Sequence, residues 1–198
     1  MSFPSIQLIK PLVFIACLGP FAYLLYATLL DPEMLGANPV EYLLRRTGDW
    51  SLRFILIVLS VRPLRQITGK AVLLKYRRMM GLFAFFYVTT HFSIYAFLDL
   101  QLDWSHIGED IAERPFITIG FLAWLLLIPL AATSTRAMMR RLGKRWKSLH
   151  KLVYLIAILA VSHYIWLIKK DLREPLIYAA ILIVLFLLRT PYVQRKLA

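Results

Sequence analysis

The feature that most constrains this chain is a series of apolar runs, each about long enough to cross a bilayer, joined by short charged loops. A spanning helix needs roughly 20 apolar residues. Runs of that kind cover residues 8–30, 50–63, 79–98, 115–132, 149–168 and 175–190. They are apolar on every face, which excludes the alternation of a closed β-barrel. The expected fold is therefore all-α: a polytopic bundle of six transmembrane helices forming a single domain over residues 1–198. Pro20 falls inside the first run and predicts a kink there. The first run lacks a small-x-small cleavage site and is read as a retained helix, not a signal peptide. A short amphipathic segment, Val40 to Arg46, is expected along the interface before the second run.

Charge fixes the orientation. The formal charge of +13 would suit nucleic acid if it formed a patch, but it lies in the loops that flank apolar runs. There it sets membrane topology, and no nucleic-acid partner is expected. Arg62, Arg65, Lys70, Lys75, Arg77 and Arg78 form one acid-free stretch. Arg136, Arg140, Arg141, Lys144, Arg145 and Lys147 form another. The intervening loops carry Asp99, Asp103, Glu109, Asp110 and Glu113, and then the mixed turn Lys169 to Glu174. Arg189, Arg195 and Lys196 close the chain. Positive loops stay inside, so both termini are expected in the cytoplasm.

Three of the four histidines fall in or at these runs. Histidine within a membrane span is a candidate for function by default. His91 lies 12 residues in from Met79, and His163 lies 14 in from Leu149. On parallel helices both sit about 18–21 Å from the cytoplasmic edge. One depth on two helices suits two axial imidazoles. Zinc would need further Cys, His or carboxylate ligands, and neither span offers an acid. The chain's one thiol, Cys17, allows no disulfide or Cys-ligated cluster. Haem needs two axial ligands only, because the porphyrin supplies four donors. Ala84 and Ala160 offer clearance for it, while Tyr87 and Tyr95 read as ordinary packing. His150 sits at the inner mouth of the fifth run and could serve a second haem. The matching level of the third run holds Arg77, next to Arg78. Arginine suits haem propionates or a flavin phosphate. Arg53 is a third candidate for such contacts, against snorkelling to the head groups. His106, in an acidic loop, reads as solvated. Two rival functions stand beside electron transfer: a proton-relay transporter, a class that favours internal repeats where the sequence shows no clear one, and a cofactor-free membrane anchor.

The stretches TTHFSIYAFLDL, RPFITIGFLAWLLLIPLAATST and LGKRWKSLHKLVYL resemble the MsrQ family, haem-binding membrane subunits of bacterial periplasmic methionine-sulfoxide reductase systems. GANPVEYLLRRTGDWSLRFILIVLSVRPL adds weaker support. The wider similarity is to ferric reductase and NADPH oxidase transmembrane domains, which bind two stacked b-type haems through two histidines on each of two helices. The resemblance implies a multi-pass subunit of the bacterial inner membrane, an electron-transfer subunit and not the catalytic one. Its acceptor would be a periplasmic molybdopterin enzyme that reduces methionine sulfoxide in oxidised proteins. It implies one or two haems b at His91, His163 and His150, and FMN. The donor would be quinol or a cytosolic flavin reductase. No Gly-rich dinucleotide fingerprint is present, so a separate donor is expected. Arg77 stands where the oxidase pattern has a fourth histidine.

Overall fold

The computed structural model describes residues 5–168, 171–190 and 193. Lys169, Arg195 and Lys196, counted above among the loop charges, lie outside the described residues. Helices and short turns form the whole described fold, with no strand among these residues.

Helix α1 (Ser5–Leu30) runs to a 3₁₀ turn at Pro32–Leu35. Pro20 removes one ladder bond within it. Tyr87 supports the helix there: its hydroxyl donates to Cys17 O at 2.8 Å and accepts from Phe21 N–H at 3.1 Å. A side chain inserted into the ladder beside a proline is a common site of helix bending.

Helix α2 (Pro39–Thr68) is one continuous 30-residue element. Val40–Arg46 is therefore its first two turns and not a separate interfacial segment. The start is well signalled. Asn38 caps it, its side chain accepting from Glu41 N–H at 3.2 Å while its amide donates to the Glu41 carboxylate at 3.0 Å. Pro39 follows in the first turn, where a proline costs little. The stop is Gly69, whose φ of 68° completes a left-handed cap. Arg62 and Arg65 thus ride on helix.

Helix α3 (Leu74–Ile94) widens into a π turn at Tyr95–Asp99. The chain then reverses through Gln101 and Leu102 at φ of 49° and 59°, a left-handed conformation costly for both residues. That reversal lays α4 (Trp104–Glu113) at the end of the bundle. Asp103 caps α4, accepting from Ser105 and His106 N–H. Helix α5 (Pro115–Ala132) returns, two short helices α6 (Arg136–Leu142) and α7 (Lys144–Leu149) carry basic residues, and α8 (Leu152–Leu167) and α9 (Arg173–Leu187) complete the fold.

Helices α2, α3, α5 and α8 enclose the functional space, with α1 and α9 packed outside them. All eleven acidic residues lie within 31–49, 99–113 and 171–174, at one end of this bundle. We call it the acidic end, and the opposite one the basic end. Four helical stretches are long and apolar enough to cross a membrane: Ile9–Leu30, Arg77–Asp99, Pro115–Ala132 and Lys144–Leu167. Helix α2 carries too many charges for that criterion and α9 is only 15 residues long. The six expected runs therefore divide into four that qualify alone and two that accompany them.

Candidate functional site

The two deep histidines meet. His91 on α3 and His163 on α8 have ring centroids 6.4 Å apart, with planes at 78°. Both line one cavity of about 560 Å³ towards the acidic end. Each ring is held from behind. His91 Nδ1 lies 2.9 Å from Leu44 O on α2, and His163 Nδ1 lies 2.6 Å from Phe116 O on α5. A carbonyl can only accept, so each Nδ1 carries the proton and donates it. The tautomer is fixed on both rings, and each Nε2 keeps its lone pair. A backbone carbonyl behind the ring is a common way to orient a metal-binding imidazole.

Glycines make this approach feasible. A Cβ on Gly48 would lie 3.3 Å from the His91 ring, and one on Gly120 would lie 2.8 Å from His163 Nδ1. In each case the accepting carbonyl belongs to the residue four before the glycine. Leu44, Gly48 and His91 correspond to Phe116, Gly120 and His163 with a constant shift of 72 residues. The α2–α3 and α5–α8 pairs therefore repeat one arrangement. Two glycines at equal distances from two histidines are a trace of this shift in the sequence, but single glycines inside apolar helices carry too little signal to reveal it.

The space between the rings suits an iron. Metal–imidazole bonds of about 2 Å put the ring centres of a linear bis-imidazole centre roughly 6 Å apart. No group of three or more Cys, His, Asp or Glu side chains assembles a metal site among the described residues. A metal here must bring its remaining donors with it, as porphyrin iron does. The walls are largely apolar, with Phe92 stacked on Trp124 at 4.3 Å. At the acidic end, Tyr95 donates to Asp110 at 3.2 Å, and Arg114 pairs with Asp110 at 3.1 Å. Tyr95 is thus part of a polar mouth and does more than pack.

A second cavity of about 270 Å³ lies towards the basic end, lined by Arg77, Arg78 and His150. Trp146 stacks on His150 at 4.0 Å. The Thr133 hydroxyl lies 2.6 Å from Pro129 O and 3.1 Å from His150 Nε2. Its one proton goes to the carbonyl, so His150 Nε2–H donates to it. His150 thus has the opposite tautomer to His91 and His163. The 72-residue shift pairs His150 with Arg78. This cavity therefore offers one imidazole and two guanidinium groups.

Arg53 lies outside both linings. It donates to the Tyr178 hydroxyl at 2.9 Å and sits over the Trp50 ring, 4.8 Å from its centre. His106 is exposed on α4. Ala160 lines the larger cavity and Ala84 the smaller.

Comparison with known proteins agrees with this architecture. Residues 47–161, which run from within α2 to within α8 and include His91 and His150 but stop short of His163, match the family of ferric reductase like transmembrane components. The chain is 51% identical to the protein-methionine-sulfoxide reductase heme-binding subunit MsrQ of Xanthomonas oryzae pv. oryzae (strain MAFF 311018), over 91% of this chain and 85% of that protein. It is 55% identical to the subunit of the same name from Xanthomonas campestris pv. campestris (strain 8004), over 77% of this chain and 70% of that one. For the Polaromonas naphthalenivorans (strain CJ2) subunit the identity is 53%, over 89% and 81%. With its paired helices and facing histidines, the chain belongs to the ferric reductase like transmembrane family and, within it, to the MsrQ heme-binding subunits.

Proposed function

We propose that this chain carries electrons across the bacterial inner membrane through haem b held between His91 and His163. The observation that carries the reading is the pair of Nδ1–H bonds to Leu44 O and Phe116 O. They leave two Nε2 lone pairs in one cavity, on rings at an iron-compatible separation. Haem bound there would supply one-electron ferric–ferrous chemistry. The protein's part is to fix both ring orientations, exclude water with apolar walls, and keep the site within reach of the acidic end.

The chain crosses the membrane six times, with both termini cytoplasmic and the acidic end in the periplasm. Charge supports this orientation, since basic loops are retained inside. The acceptor is a periplasmic molybdopterin reductase that repairs methionine sulfoxide in oxidised proteins. This subunit is not the catalytic one. Quinol or a cytosolic flavin reductase is the donor. Arg77, Arg78 and His150 are the residues for a second group towards the cytoplasm, either a further haem or FMN. Their cations suit propionate or phosphate.

Visible spectra test the assignment. His91→Ala and His163→Ala should each abolish the low-spin bis-imidazole spectrum of the purified protein. Retention of that spectrum in both variants would remove the ligand assignment. A wild-type protein without a Soret band, after expression with ample haem, would favour a cofactor-free anchor.

A further inference from the structure

The two cavities approach each other but are lined in common by just two residues, Ile55 on α2 and Leu127 on α5. These two obey the 72-residue shift. Each lies seven residues, about 10.5 Å of helix, towards the basic end from its glycine, Gly48 or Gly120. The same step from His91 and His163 reaches Ala84 and Ile156, which line the smaller and larger cavity respectively. One residue from each of four helices thus forms a layer two turns from the imidazoles. All four belong to one packed core, exposed by 3% (Ile55), 2% (Ala84), 5% (Leu127) and 0% (Ile156).

This layer has no side-chain donor or acceptor. Its neighbours on both sides do. Towards the acidic end stand His91, His163 and the Tyr95–Asp110 mouth, and towards the basic end stand Arg77 and His150. Water needs two to four polar partners to occupy a buried position, and a bare charge in hydrocarbon is costly. Electron tunnelling needs neither.

We propose that Ile55, Ala84, Leu127 and Ile156 form a proton-tight septum between the two cavities. Water and protons on either side do not exchange through it. Charge that this chain moves across the membrane passes as an electron and leaves its proton on the side of origin. The proposal does not depend on which groups occupy the cavities.

Proton flux tests it without donor or acceptor. The purified full-length chain is reconstituted into potassium-loaded liposomes with a trapped pH-sensitive dye, and valinomycin imposes a potential. Wild type and the Leu127→Ile control should match protein-free vesicles. Ile55→Asn or Leu127→Asn, each placing a polar amide in the layer, should raise flux on the order of ten-fold. Folding is checked by helical circular dichroism and monodisperse elution. If neither Asn variant folds, Ala84→Ser supplies a smaller polar group in the same layer and should raise flux in the same direction. A leaking wild type, or folded polar variants that stay tight, would overturn the septum. Neither result would touch the haem assignment, which is read from the histidine variants.

Discussion

At the scale of single residues, the site depends on four positions that touch in pairs: Gly48 against His91 and Gly120 against His163. A methyl group at 120 would lie 2.8 Å from a ring nitrogen, closer than side chains tolerate, while one at 48 would lie 3.3 Å away. Gly120→Ala should therefore lower haem content more than Gly48→Ala, measured as pyridine haemochrome per polypeptide. Equal content in both would mean that α5 shifts freely, against the tight packing of protein interiors. His150→Ala is expected to leave the His91–His163 spectrum intact and to stop its reduction from the cytoplasmic side, followed by stopped-flow absorbance. The histidines were legible because imidazole in an apolar run is unusual. The glycines were not, because a glycine in a membrane helix is ordinary until the ring it faces is known. Tyr95 read as packing for a similar reason: its partner Asp110 is reached only after the reversal at Gln101 and Leu102.

At the scale of elements, α1 is tied to the core through the Tyr87 hydroxyl, which bridges Cys17 O, three residues before Pro20, and Phe21 N–H, the residue after it. Removing that hydroxyl leaves both buried backbone groups with a poorer partner. Tyr87→Phe should cost about 1–3 kcal/mol, seen as a lower thermal midpoint in detergent with an unchanged haem spectrum. An unchanged midpoint would mean that the α1 ladder closes without the bridge. The kink signal at Pro20 was visible in the sequence; its support from α3 was not. Helix α2 was only half legible. Val40–Arg46 read as a separate interfacial segment and Arg62 and Arg65 as loop, yet the Asn38 cap and Gly69 bound one helix between them. Local caps decided the element, and charge density misled. Helix α4 was read only as an acidic loop, because its acidic residues outweighed a strongly one-sided apolar pattern that buries Ile107.

At the scale of the whole molecule, charge is polarised along the bundle, and apolar side chains such as Leu12, Leu29 and Ile183 are exposed on its outside. Such a surface suits lipid. Fusion of a reporter at the C-terminus should report a cytoplasmic location, and one inserted near Glu109 a periplasmic one; the reverse pattern would invert the proposed direction of electron flow. The apolar runs and the alternation of charged loops were legible because membrane insertion acts on composition. The 72-residue repeat was not, because few of its paired positions are identical and the match lies in geometry. The central claim is one iron between two imidazoles whose planes stand at 78°. Low-temperature electron paramagnetic resonance of the oxidised protein tests it most directly. Near-perpendicular imidazoles predict a strongly anisotropic low-spin signal that disappears in both His91→Ala and His163→Ala. A wild-type spectrum without such a signal, or one that survives both substitutions, would contradict the account.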